Sequence, residues 1–110
     1  MKSFFLFYVE KLFTTNMTPS LPSGTKWYRG TGNYKYKVVL PNGKIVQFGH
    51  KSYEQYKDQT PLRLYKHLDH GDERRRENYR KRHGGIRLKN GGKAVDAKYS
   101  PAWFSYYFLW

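Results

Sequence analysis

The chain has 110 residues, a formal charge of +13 and an aromatic content of 19%, which allows one small domain with a core of Tyr, Phe and Trp rather than aliphatics. Such a charge favours polyanions, acidic protein surfaces or anionic lipid headgroups, and it is silent about fold. The lack of cysteine excludes a disulfide framework and a thiolate metal site, and fits a reducing compartment.

Residues 4–9 (Phe-Phe-Leu-Phe-Tyr-Val) form an apolar run behind Lys2, broken by Glu10 and Lys11. It is shorter than the about 7–15 residues of a signal-peptide core and far below the about 20 of a membrane span. The expectation is an arm or short amphipathic helix with Phe4, Phe5, Tyr8 and Leu12 on one side. Met17 offers an alternative start. Residues 18–24 carry two prolines and read as an extended linker. The division is therefore an amino-terminal arm and linker over 1–24 and one basic domain over 25–110.

Trp27 and Tyr28 precede a turn at Gly30 and Gly32. Residues 34–40 alternate large and charged side chains, as a half-buried strand does. Pro41-Asn42-Gly43-Lys44 predicts a hairpin, with Asn-Gly supplying the two positive φ angles of a type I′ turn. Residues 44–48 return. In that register Leu40 opposes Ile45 and Val38 opposes Gln47, so Tyr34, Tyr36, Val38, Leu40 and Ile45 share the core face. Residues 52–57 fit either a third strand or a helical turn. Thr60-Pro61 reads as a helix cap and first position, with Leu62, Tyr65 and Leu68 on one side.

Next comes a short, highly charged helix. Asp69 or Asp72 can cap it, Asp72 and Glu73 sit at its positive end, and Arg80, Lys81 and Arg82 at its negative end. Gly84 is placed to take the left-handed position that ends it. Glu73–Arg76 and Glu77–Lys81 are spaced as ion pairs. Only Tyr79 is a bulky hydrophobe, so something outside the helix must hold it. Residues 84–97 read as a basic glycine-rich loop. Ser100-Pro101 then caps a terminal helix, within which Trp103, Tyr106, Tyr107 and Trp110 share one side and Phe104 and Phe108 another. Seven of the last eight residues are large and apolar or aromatic. That segment is either the domain's own core or an anchor for a neighbour.

No site chemistry emerges from the polar residues. His67, His70 and His83 do not converge with a further ligand as zinc requires. Asp69-His70, Asn78 and His83 echo an HNH nuclease only at spacings too short for its site. With no phosphate loop, no nucleophile elbow and no paired carboxylates in apolar surroundings, the reading is a non-enzyme without cofactor, metal or small-molecule substrate. Arg74, Arg75, Arg76, Arg80, Lys81 and Arg82 could grip phosphates while tyrosines stack on bases. Six basic residues face four acids between positions 69 and 83, however. Arginine also suits ordered carboxylate pairs at protein interfaces.

Residues from Lys44 onward resemble a family of small basic proteins of large nucleocytoplasmic DNA viruses, of the iridovirus, marseillevirus and algal virus type. The matching residues are Phe48-Gly49, Tyr53, Tyr56, Asp72, Arg75-Arg76, Tyr79, Arg82-His83, Trp103, Ser105 and Leu109-Trp110. The glycine-rich stretch after His83 and the amino-terminal extension depart from the pattern. This resemblance implies a virion or minor capsid component.

The expected fold is α+β, a small β-hairpin or three-stranded antiparallel sheet packed with two or three short helices, plus the arm. The expected function is a structural protein of a large DNA virus particle, located in the virion and in the host cytoplasm during assembly. It would bind neighbouring capsid proteins through Arg74, Arg75, Arg76, Arg80, Lys81, Arg82, Trp103, Tyr106, Tyr107 and Trp110. The alternative is a virion nucleic-acid-binding protein.

Overall fold

The computed structural model describes residues 18–85, 92–93 and 96–110. The amino-terminal arm and most of the glycine-rich loop, with Arg87, lie outside the described residues. The elements follow in the order β1 (Lys26–Arg29), β2 (Tyr34–Val39), β3 (Ile45–His50), a 3-10 turn (Lys66–Leu68), α1 (Glu73–Gly84) and α2 (Pro101–Phe108). The strands form an antiparallel sheet in the order β1-β2-β3. The expected α+β fold is the one formed, and the third strand is the Trp27 segment rather than residues 52–57.

The hairpin is present, but its turn differs from the two-residue type I′ expected. Gly43 takes φ +90° and Asn42 does not take a positive φ. The Gly43 N–H donates to the Leu40 carbonyl (2.9 Å) and the Leu40 N–H to the Lys44 carbonyl (2.9 Å), closing a three-residue loop. Pro41 decides this, because its ring fixes φ near about −65° and so fills the first corner of an ordinary turn, leaving the left-handed position to Gly43. The register consequently moves by one: Tyr36 pairs with Phe48, Val38 with Val46 and Val39 with Ile45. A one-residue shift exchanges the faces of the return strand. Val46 and Phe48 are buried, whereas Ile45 is 59% exposed. Tyr36, Val38 and Leu40 are buried as expected. Tyr34, at the first position of β2, is exposed beside an open cleft.

One side of the core is the sheet, the other the carboxyl-terminal segment. Ser100 accepts the Trp103 N–H (3.1 Å) and Pro101 opens α2. Trp103, Phe104, Phe108 and Leu109 are all buried. Phe104 stacks on Phe48 with centroids 5.2 Å apart, and Trp27 meets Tyr36, Phe48 and Phe104 edge-on. Such pairs add about 0.5–1.5 kcal/mol each beyond burial. The core is aromatic, as composition requires.

No α-helix begins at Thr60-Pro61. Residues 61–68 make a turn with Arg63 at φ +50° and then the 3-10 turn. Thr60 is buried beneath it and bonded to Asp58, which holds this part of the chain in another shape.

Candidate partner-binding surface

Between β3 and α1 the chain forms no long regular element, so its backbone groups are paired piecemeal, with one another, with the tail and with side chains. Buried or half-buried polar side chains supply the last of these. Asp58, 1% exposed, accepts from the Tyr36 hydroxyl, the Thr60 N–H (3.0 Å) and hydroxyl (2.6 Å), and the Tyr65 N–H (3.0 Å). The Leu64 N–H donates to the same Tyr36 oxygen (2.8 Å). Gln55 donates to the Tyr65 carbonyl and to Asp69 (both 2.7 Å), and Asp69 also accepts the Asp58 N–H (2.8 Å). Lys35, 2% exposed, donates to the Tyr53 carbonyl (2.7 Å) and to Gln55. Burial lowers the Lys35 amine to about 8, against the pull of Asp58 and Asp69. It remains mostly charged at neutral pH, and its bonds hold the loop in place.

This loop and the tail together hold α1. Asp72 caps the helix, accepting the N–H groups of Arg74 (2.9 Å) and Arg75 (3.2 Å). The inner face is then fixed by groups that a polar helix rarely uses for packing. Tyr79 stacks flat on Trp110 (4.2 Å, 4°) and on His83 (3.8 Å), and burial pushes its hydroxyl up to about 12. Arg76 (2.7 Å) and Arg80 (3.1 Å) both donate through Nε to the main-chain oxygen of Trp110. Their guanidinium groups lie over the rings of Tyr56 and Tyr106 respectively. The expected Glu73–Arg76 pair forms at 3.7 Å, and Glu73 also accepts from the Tyr56 hydroxyl. Gly84 does not end the helix in a left-handed conformation. It is the last helical residue, and Gly85, at φ −93°, donates to the Arg82 carbonyl instead. No Glu77–Lys81 ion pair forms among the described residues.

The outer face of α1 carries Arg74, Arg75, Lys81 and Arg82, all exposed. Arg75 reaches Glu54 at 2.9 Å. Between this helix, the end of β3 and residues 52–54 lies a cleft of about 840 Å³. On one wall Tyr53, 66% exposed, stacks on His50 (4.4 Å, 22°). His50 Nδ1 accepts the Ser52 N–H (3.2 Å), which leaves its ring proton on Nε2 in the neutral form. The opposite wall carries Arg75, Asn78 and Arg82, and Lys35 lies at the floor. Among the described residues no group of three or more His, Cys, Asp or Glu could hold a metal. No helix among them is long and apolar enough to cross a membrane.

Residues 29–83 match the model of a family of unknown function (DUF5754). The chain belongs to the DUF5754 family. Compared with curated proteins and with solved structures, it matches none. The DUF5754 segment spans β2, β3, the Asp58 loop and α1, whereas Trp27 and α2, which complete its core, lie outside the match.

Of the residues expected to bind a partner, the DUF5754 segment holds all the basic ones, and they divide. Arg76 and Arg80 are committed to the tail. Arg74, Arg75, Lys81 and Arg82 face outward. In the tail, Trp103 is buried, Tyr106 lies under Arg80, Tyr107 packs half-buried against Trp103, and Trp110 covers Tyr79. The cleft residues His50, Tyr53 and Lys35 were not among the expected contacts. Tyr53 follows a strand in a segment without periodicity, and Lys35 alternates as a solvent-facing strand residue would, so neither carries a local signal.

Proposed function

We propose that this chain is a non-enzymatic structural protein of a large DNA virus particle, a minor capsid or cementing component that grips neighbouring capsid proteins. The observation that carries the reading is the division of α1. One face is locked by Arg76, Tyr79 and Arg80 against Trp110, while Arg74, Arg75, Lys81 and Arg82 stand outward on a helix that cannot roll. A row of cations on a fixed scaffold loses less freedom when it meets carboxylates on a neighbour. The motif resemblance points to the same setting. The amino-terminal arm, outside the described residues, would add a second hold in a groove between neighbours. The tail contributes through the core rather than as an anchor. Reversing Arg74, Lys81 and Arg82 to Glu should leave stability within about 0.5 kcal/mol per site. The same variant should be missing from purified particles. Normal incorporation would refute the reading.

A second reading, a virion nucleic-acid-binding protein, gains from the acids. Asp69 is turned into the loop, Asp72 caps α1 and Glu73 is held by Tyr56 and Arg76, which leaves Glu77, among the described residues, as the exposed acid without an ion pair beside the four outward cations. Titration with DNA at rising salt separates the two, because phosphate contacts give a steep log–log salt slope. Binding no tighter than micromolar at physiological salt would leave the capsid reading alone.

A further inference from the structure

We propose that the cleft between β3 and α1 seats one nucleotide of a single-stranded nucleic acid, its base on Tyr53 and its phosphates on Arg75 and Arg82. The inference rests on the nucleic-acid reading and adds a place and a strand form to it.

Three features converge there. Tyr53 is an exposed ring that is nonetheless held, because His50 backs one of its faces at 4.4 Å. A ring fixed in this way is a stacking platform open to any base, since every base has a π-face. Arg82 makes no ion pair among the described residues, and Arg75 pairs only with an exposed Glu54. An exposed pair of that kind is weak enough for a phosphate to displace. Asn78 stands between the two arginines with both a donor and an acceptor, and Lys35 adds positive charge at the floor. The volume of about 840 Å³ accommodates a nucleotide.

The same features select the strand form. The face of a base inside a duplex is covered by its neighbours, so Tyr53 can take only an unstacked base. An acidic peptide could use the arginines but would leave the Tyr53 ring unused. In a continuous strand the phosphates beyond the cleft can reach Arg74 and Lys81, which stand next to Arg75 and Arg82 around α1. A free nucleotide cannot do this.

The test is fluorescence anisotropy with a short labelled oligothymidylate, the duplex of equal length, and thymidine monophosphate. The oligonucleotide should bind more tightly than the duplex. Tyr53→Ala should weaken it roughly tenfold or more, while Tyr53→Phe keeps it and duplex binding is unchanged. Arg82→Gln should lower the log–log salt slope by about 0.7. Equal binding of both forms, untouched by Tyr53→Ala, overturns the cleft and leaves the nucleic-acid reading standing. Monophosphate binding as tight as the oligonucleotide also overturns it, in favour of a free nucleotide. No binding of any probe at physiological salt overturns both.

Discussion

A lysine buried to 2% exposure and a carboxylate buried to 1% would each be costly alone. They persist because their charged groups are hydrogen-bonded on all the sides described above and because the loop between residues 51 and 72 has no ladder of its own. This sets the pH response. Burial holds the Lys35 amine at about 8 in the fold, below its ordinary 10.5. The unfolded chain therefore keeps the proton longer, and stability rises as pH climbs from about 8 toward 10.5. Tyr36 and Tyr79 act in the opposite sense. Burial raises both hydroxyls above their ordinary 10.0, so the unfolded chain ionises first and stability falls above about pH 10. Burial lowers the His70 imidazole from 6.5, so acid below that value also favours unfolding. Thermal melts should thus rise between pH 8 and 10 and decline beyond, with the rise gone in Lys35→Met. A flat wild-type profile over that interval contradicts a buried charged amine. Two neighbouring arginines make the complementary test. Arg76→Ala should cost about 2 kcal/mol, since it removes a charged donor from a half-buried oxygen, and Arg75→Ala less than about 1 kcal/mol, because its pair is exposed. Denaturant melts that give equal losses would mean that Trp110 does not hold α1.

At the scale of elements, what could be read from the chain were the pieces with local punctuation. Asn42-Gly43 marks the hairpin and Ser100-Pro101 the start of α2 where expected, and of the two caps open to α1, Asp69 and Asp72, it is Asp72 that serves. The register slipped because a single proline outranks the Asn-Gly preference. Thr60-Pro61 failed as a helix start for a different reason: Asp58, two residues earlier, takes the Thr60 side chain and the Tyr65 N–H that a helix would have needed elsewhere. Nothing near Asp58 in the sequence indicates that Tyr36, some twenty residues earlier, will bond to it. The cleft was hidden likewise, since its lining comes from four separate segments. The turn itself is testable. Gly43→Val should cost about 1–2 kcal/mol from the left-handed backbone alone, because nothing lies within 4 Å of where a Cβ would stand. Asn42→Ala should cost clearly less, as Asn42 takes no positive φ. Equal losses would restore the type I′ turn.

For the whole molecule the decisive element is the tail. Phe104, Phe108 and Leu109 are nearly inaccessible, and the main-chain oxygens of Phe108 and Leu109 accept from Gln59 (2.9 Å) and Lys57 (3.1 Å). A chain ending before Trp103 should lose its cooperative melt and its near-ultraviolet circular dichroism. A truncated protein that stayed folded would return the segment to the role of an anchor.

The sequence distance between that segment and its partners has a consequence in time. Phe104 rests on Phe48, and Tyr79 on Trp110, so the contacts that close the core join positions tens of residues apart. Contacts at such separation form late and slowly, because the intervening chain must first be gathered. On the ribosome, the face made by Tyr36, Val38, Val46 and Phe48 emerges well before its cover and must wait for it. A pause in translation between residues 50 and 100 would lengthen that wait. It would also leave an aromatic sheet open to whatever else in the cell binds nascent hydrophobic chain.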